Sequence, residues 1–150
     1  MAAWQFDLFF VPENGPSPVL LNDSYDVPAV SIQQAARAKS HLTACFGTPQ
    51  ELMKDFFAYG HEQGNRVDIM FNDDESAEVK ARIDARSDSE AFVQTICALA
   101  NSLGCTLFSP EFACPIESNV LAVKSALISS RSYAFVQNPK KFLSGIHNDG

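Results

Sequence analysis

The stretch RVDIMFNDDESAEVKARIDAR, residues 66–86, contains the clearest structural pattern of the chain. Val67, Ile69 and Phe71 recur at every second position, and Val79, Ala81 and Ile83 repeat this spacing after the acidic segment. Side chains two residues apart lie on the same side of a strand, so each half of the stretch predicts a half-buried strand. The intervening DDES has the composition of a tight turn. Together these segments predict a β-hairpin.

Carboxylates concentrate at the predicted turn and along the strand that follows it. The candidate partner-binding residues are Asp73, Asp74, Glu75, Glu78 and Asp84. They do not match the spacing of an EF-hand calcium loop, so no metal site is predicted here. Two interpretations stay open: a solvated hairpin tip that also prevents edge-to-edge aggregation, and a docking surface for a basic partner.

The polar side of the same hairpin carries charges of both signs. Lys80, Arg82 and Asp84 alternate on the second strand, where pairing across the strands with Arg66 and Asp68 is expected. A second interpretation is that this side binds a substrate. Arg66, Arg82 and Arg86 are the candidate ligands for a small anion on an open sheet face.

The remaining elements are predicted from periodicity and capping signals. Residues 48–60 are predicted to form a helix, because Thr48, Pro49 and Glu51 match a capping box with proline at the first helical position. Ser87 and Glu90 give the same signal for a helix over residues 87–103, which Gly104 ends. The other predicted elements are strands at 4–11 and 105–109, helices at 28–46 and 118–136, and a short last helix capped by Asn138 and Pro139.

This order of elements predicts one α+β domain over residues 1–150. Its core matches a ferredoxin-like split β-α-β arrangement, with a four-stranded antiparallel sheet, helices on one face and added C-terminal helices. Those last helices are expected either to cover the other face of the sheet or to extend its edge.

Composition excludes several classes of function. The formal net charge is −7, which disfavours direct binding of nucleic acid, since phosphate recognition requires clustered lysine and arginine. The N-terminus lacks a basic region typical of signal peptides, and no apolar run approaches the ~20 residues of a membrane span.

Cys45 and Cys97 fall in apolar helical patterns and are predicted to be core thiols; a disulfide between Cys105 and Cys114 stays open. We therefore expect a cytoplasmic protein.

No catalytic signature is present. The glycines form neither a dinucleotide-binding nor a phosphate-loop pattern, and no serine occupies a nucleophile elbow. The sequence therefore predicts no catalytic residue and no cofactor, and favours a non-enzymatic binding protein. A pair of a cysteine and a histidine brought together by folding is the alternative that sequence leaves open.

The second half of the chain adds a resemblance. The segment RIDAR, the helix FVQTICALANSLGC and the C-terminal SSRSYAFVQNPKKFL, spanning residues 79–143, resemble small bacterial immunity-type proteins associated with interbacterial toxins. The segment SYAFVQNPKKFL, residues 132–143, is the most specific part of it. This resemblance implies a cytoplasmic, acidic, non-enzymatic protein that binds one cognate protein toxin tightly.

Three functional hypotheses follow. The first is an immunity protein whose acidic surface occludes the active site of a basic toxin. The second is a small anion- or metabolite-binding domain, or an enzyme, that uses the charged sheet face. The third is a structural subunit that self-associates. None of the three involves nucleic acid or a membrane.

Overall fold

A computed structural model of the chain describes residues 2–139. It contains ten strands and four helices within this range. The strands are β1 Gln5–Pro12, β2 Val19–Leu21, β3 Ser24–Asp26, β4 Val30–Ser31, β5 Gln50–Met53, β6 Phe56–Gly60, β7 Arg66–Phe71, β8 Ser76–Asp84, β9 Cys105–Ser109 and β10 Cys114–Ile116. The helices are α1 Ile32–Phe46, α2 Glu90–Leu103, α3 Val120–Ile128 and α4 Arg131–Gln137.

Eight of the strands form one sheet, in which every pair is antiparallel. Seven of them follow the order β10–β9–β1–β8–β7–β6–β5, and β4 pairs with the beginning of β8 on the side that β1 occupies further along. The strands β2 and β3 form a separate hairpin. Its Tyr25 ring packs edge-on against Phe108 of β9, with 5.0 Å between the ring centroids.

The helices α1 and α2 cover one face of this sheet. Alternate residues of β1, β7 and β8 point into a single apolar core with the inner faces of these helices. The largest fully buried members are Tyr59, Phe6, Phe10, Leu8, Leu42, Ile69, Ile83, Ile96, Leu99 and Leu107. Val123 and Leu127 of α3 belong to the same core, so α3 extends the helical layer beside α2.

The position of α4 answers the question about the C-terminal helices for the described residues. The strand β9 pairs only with the second half of β1, from Phe9 to Pro12. The helix α4 contacts β1, and its buried Ser132 hydroxyl donates to the carbonyl oxygen of Gln5 at 2.9 Å. Because Gln5 lies in the half of β1 that β9 leaves unpaired, α4 supplements the sheet at its edge.

The hairpin at residues 66–86 is confirmed. Strands β7 and β8 pair in register from Arg66 opposite Arg82 to Phe71 opposite Ala77, and Val67, Ile69, Val79, Ala81 and Ile83 are fully buried. The strands predicted at 4–11 and 105–109 and the helix ending before Gly104 are also present. The predicted α+β class with mostly antiparallel pairing is therefore correct.

The predicted four-stranded ferredoxin-like sheet is wrong, because the main sheet has eight strands. Residues 48–60 form the hairpin β5–β6 instead of a helix, with Asp55 at a positive φ of 63° in its turn. Glu51 lies exposed on the edge strand, so the capping-box match does not operate. Aromatic residues favour strands, and pairing of β6 with β7 along five residues outweighs a local capping signal.

Smaller corrections concern helix ends. The helix α2 begins after Ser89, not Ser87, and its Ser89 hydroxyl binds the carbonyl oxygen of Asp84 instead of capping. The predicted helix at 118–136 is divided at Ser129 and Ser130, because the Ser130 hydroxyl donates to Leu127 and accepts from Tyr133 to start α4. The short last helix predicted over residues 139–145 lies outside the described residues from position 140 onward.

The four cysteines are free thiols. Cys97 is buried as predicted, whereas Cys45 is exposed, which contradicts its predicted place in the core. Cys105 is fully buried, and this desolvation, reinforced by the charge of Glu13, raises the pKa of its thiol to about 11. Such a thiol is protonated at neutral pH and therefore a poor nucleophile.

Gly60 at the end of β6 provides a test of this fold. Its φ is +106°, and a Cβ there would overlap the backbone carbonyl oxygen of Asn65. We expect Gly60→Ala to lower the free energy of unfolding by roughly 3 kcal/mol, measured by urea denaturation. Gly104→Ala is the matched control, since its φ is +68° and no atom lies within 4 Å of the added carbon. That control should cost about 1 kcal/mol; equal losses in the two variants would contradict the geometry.

Candidate functional site

The side of β6, β7 and β8 that faces away from α1 and α2 is called the open face here. Alternation along these strands assigns to it Phe56, Ala58, Arg66, Asp68, Met70, Glu78, Lys80 and Arg82. Within residues 2–139, the helices that pack on these strands do so on the opposite face. Because these helices lie on the opposite side, the long polar side chains of the open face pack against one another instead of against a helix.

Asp68 lies at the centre of the open face and binds two arginines. Arg66 forms a two-pronged ion pair with it, with Nε 2.5 Å from Oδ1 and a terminal nitrogen 3.0 Å from Oδ2. The Nε of Arg82 on β8 lies 3.2 Å from the same Oδ2. Asp68 is directly opposite Lys80 in the register, yet its ion pair on β8 is with the diagonal Arg82. The predicted pairing across the strands is thus present, with a diagonal partner.

This cluster is largely removed from water, although no helix of the described residues packs over it. The exposed fractions of the side chains are 11% for Arg66, 14% for Arg82 and 5% for Asp68. A carboxylate in such a place requires cationic partners, because an unpaired buried charge is costly. The second interpretation from the sequence needs Arg66 and Arg82 for an anion, and both already bind Asp68.

Asp7 on β1 stands directly opposite Arg82 on the same side of the sheet. Its Oδ1 is buried and has no hydrogen-bond partner among the described residues. Burial raises the pKa of this carboxyl group, while the nearby charges of Lys80 and Arg82 oppose the increase. Asp7 is therefore a carboxylate that the fold tolerates at an energetic cost.

The turn between β7 and β8 has the opposite character. Asp73, Asp74 and Glu75 are all exposed, and no ion pair involves them within the described part of the chain. The Asp74 carboxylate accepts from the backbone and hydroxyl of Ser76 at 3.3 and 2.5 Å, and Glu75 has a φ of +63°. These contacts fix the turn while leaving its charges available to a partner. We call Asp73, Asp74 and Glu75 the acidic turn.

Glu78 lies between the acidic turn and a row of apolar side chains that the sequence did not predict. On the open face, Glu78 is directly opposite Met70, Met70 is opposite Phe56, and Phe56 is opposite Met53. Met53 and Met70 are 66% and 40% exposed. We call Met53, Phe56 and Met70 the apolar row. The prediction of a helix over residues 48–60 concealed this row, and the aromatic content of residues 56–59, which favours strands, was only a weak signal against that helix.

Asp84 does not lie with the other four predicted acids. It ends β8, and the eight residue steps from Ser76 correspond to about 26 Å of strand. It is nearly buried and binds Arg86, with 2.9 Å between a terminal nitrogen and Oδ2. That hydrogen bond is the main cause that raises the pKa of Arg86. The structure thus brings together Asp73, Asp74, Glu75 and Glu78, and places Asp84 at the opposite end of β8.

Arg86 is also held by aromatic and backbone contacts. Its guanidinium lies 4.3 Å from the centre of the Trp4 ring and donates to the carbonyl oxygen of Gln63, which also accepts from the Trp4 indole at 2.6 Å. This arrangement ties the beginning of the chain to the loop between β6 and β7. It leaves Arg86 with fixed geometry at the edge of a cavity.

That cavity, of about 620 Å³, lies where α1 ends and α2 begins. Phe46 and Phe92 form an aromatic wall, with 6.1 Å between their ring centroids. Arg86, Asn65 and Asp84 contribute polar groups to the lining. Cys45 and His61 both line the cavity, and no hydrogen bond joins these two side chains within residues 2–139.

The described residues contain neither a metal-binding cluster nor a helix suited to a membrane. Among residues 2–139, no three His, Cys, Asp or Glu side chains converge in a way that would hold a metal ion. No helix in this range has both the length and the apolar character needed to cross a bilayer. No family model, curated protein or solved structure matches this chain.

The buried carboxyl group of Asp7 gives a test with a definite sign. Its folded-state pKa is raised, so the folded protein holds this proton more tightly than the unfolded chain does. The stabilisation is complete below the unfolded pKa of about 4 and is lost as the pH rises through the folded value. Asp7→Asn should therefore gain stability relative to the native chain between pH 3.5 and pH 7.

Urea denaturation at several pH values measures this difference. Asp26→Asn is the matched control, because Asp26 is exposed on the small hairpin and its substitution removes the same charge. We expect the pH-dependent gain to be larger for Asp7→Asn than for the control. A constant difference between Asp7→Asn and the native chain over this pH range would contradict the description of this carboxyl group.

Proposed function

We propose that this chain is a non-enzymatic protein-binding module that engages a basic partner through the acidic turn and Glu78. The observation that carries the proposal is the contrast among its carboxylates. Asp68 and Asp84 are neutralised by arginines, whereas the acidic turn is exposed and forms no ion pair among the described residues. Exposed charge of one sign attracts a partner of the other and raises its rate of association.

In its most concrete form, the proposal is a cognate immunity protein for a bacterial toxin. The resemblance of residues 79–143 to immunity-type proteins supports this form, and so does the net charge of −7. The mechanism is occlusion: the acidic turn binds basic groups beside the toxin's active site, and the surrounding sheet surface blocks access of the toxin's substrate. No bond is made or broken in the process, and the chain acts in the cytoplasm.

A second candidate, binding of a small anionic metabolite, is favoured by one observation. The cavity beside Arg86 has a volume typical of ligand sites and an aromatic wall, with polar groups at fixed positions. The bound Asp84 already neutralises much of the charge of Arg86, which weakens this candidate. A rise in melting temperature with small aromatic carboxylates, abolished by Thr95→Phe in the cavity wall, would favour it over the first.

The main proposal is tested with a basic probe. We expect a fluorescent peptide of alternating lysine and glycine to bind the native chain in 0.15 M salt. The triple variant Asp73→Asn, Asp74→Asn and Glu75→Gln should weaken this binding about tenfold, as measured by fluorescence anisotropy. The control variant Glu13→Gln, Asp26→Asn and Glu117→Gln removes the same charge from exposed sites elsewhere.

This control should change the affinity less than about twofold, because a screening length of about 8 Å confines attraction to charges close to the peptide. Equal weakening in the two triple variants would show that net charge alone governs binding and would contradict the assigned site. Absence of peptide binding to the native chain at low salt would contradict the proposed function as a whole.

The immunity form has its own test in cells. The immunity form predicts that a gene next to the one for this chain encodes a toxin, whose expression arrests growth and whose coexpression with the native chain restores it. The acidic-turn variant should restore growth less well than the control variant does. A native chain that binds the basic peptide and leaves growth arrested would remove the immunity form while retaining the binding module.

A further inference from the structure

The apolar row next to the acidic turn has no structural task in the described chain. Met53 and Met70 are 66% and 40% exposed, although they lie on paired strands of the main sheet and flank the ring of Phe56. The core is on the other side of these strands, where Phe57, Tyr59 and Ile69 pack. Exposed apolar side chains that adjoin one another in a row, rather than being scattered singly, are typical of interaction sites.

The dimensions of the row match one type of partner. Adjacent strands are about 4.8 Å apart, so Met53, Phe56 and Met70 follow one another at that interval across β5, β6 and β7. An α-helix rises about 4.5 Å over three residues and about 10.5 Å over seven. Helical residues at positions i, i+3 and i+7 therefore contact the three members of the row in order, whereas an extended segment has side chains of one face about 6.6 Å apart.

Charge fixes the direction of this partner helix. The row continues from Met70 to Glu78 on β8, about 14 Å from Met53, and the acidic turn adjoins the same end. A residue at position i+10 of the helix lies about 15 Å from position i and thus reaches Glu78. A lysine or arginine at that end would meet four carboxylates, those of Asp73, Asp74, Glu75 and Glu78.

We propose that the apolar row and the acidic turn together bind an amphipathic helix of the protein partner, with apolar residues at i, i+3 and i+7 and basic residues from i+10 onward. This inference rests on the proposed function and specifies the partner for the same site. Methionine side chains suit the role, because their flexible thioethers adapt to the shape of an incoming side chain. The apolar contacts slow dissociation, while the carboxylates speed association.

Three synthetic peptides test the inference by fluorescence anisotropy. The first is a 16-residue alanine-based helix with leucine at positions 2, 5 and 9 and lysine at 12, 13 and 16. The second has the same composition with the leucines dispersed around the helix. The third is the alternating lysine–glycine peptide. We expect the native chain to bind the first peptide at least tenfold more tightly than the second.

The variant Met53→Ser, Met70→Ser should abolish this preference through faster dissociation and leave binding of the lysine–glycine peptide unchanged. The control Leu121→Ser, Ile128→Ser removes apolar side chains that are 78% and 56% exposed on α3, and should retain the preference. Circular dichroism and thermal unfolding establish that both variants fold before their affinities are compared.

The outcomes separate the two proposals. Equal affinity of the native chain for the first two peptides, or an undiminished preference in the Met53→Ser, Met70→Ser variant, would overturn the helix-binding inference. The proposed function survives that result if the acidic-turn variant still weakens the lysine–glycine peptide. Conversely, failure of the lysine–glycine peptide to bind anywhere on the native chain would overturn the proposed function.

Discussion

The ion pairs of Asp68 with Arg66 and Arg82 determine which charges of the open face are available to bind another molecule. A sheet covered by helices on one side must present either water-compatible or self-satisfied groups on the other. Here one carboxylate binds two guanidinium groups from adjacent strands, and all three side chains are more than four-fifths buried. These ion pairs stabilise the centre of the open face, which no helix of residues 2–139 covers, and Arg66 and Arg82 are already bound. Removing Asp68 would leave both arginines largely buried without this partner, which is far more costly than losing an exposed pair.

The arginines at the centre of the open face are already ion-paired with Asp68. The exposed charges that can bind a partner therefore lie at the end of the sheet where β7 turns into β8. Across the middle strands, the charge of Asp68 is offset by the two arginines that it binds, Arg66 and Arg82. The acidic turn has no such balance, and the apolar row adjoins it. Asp84 and Arg86 form a separate, mutually satisfied pair at the far end of β8. The strand β8 thus runs from the end where Asp84 pairs with Arg86, past Arg82 bound to Asp68, to the end that adjoins the exposed carboxylates of the acidic turn.

The sequence allowed prediction of the elements whose signals are local. Alternation and turn chemistry in residues 66–86 predict the hairpin, and they also predict the acidic turn that the folded chain exposes. The β5–β6 hairpin was not predictable in this way, because Thr48, Pro49 and Glu51 match a helix start and only pairing with β7 decides for strands. The apolar row was lost with it, since Met53 and Met70 adjoin Phe56 only after three strands pair. Likewise, Asp84 shares the acidic composition of the candidate site, but strand length separates it from the turn.

The central claim is that a partner contacts the acidic turn and the apolar row, and leaves the ion pairs of Asp68 with Arg66 and Arg82 undisturbed. Backbone amide chemical shifts of the ¹⁵N-labelled chain, recorded during titration with the amphipathic basic helix, map that contact directly. The account predicts the largest shifts at Met53, Met70 and Asp73 to Glu75, with small shifts at Arg66 and Arg82. Largest shifts at Arg66 and Arg82, or around the cavity beside Arg86, would contradict it.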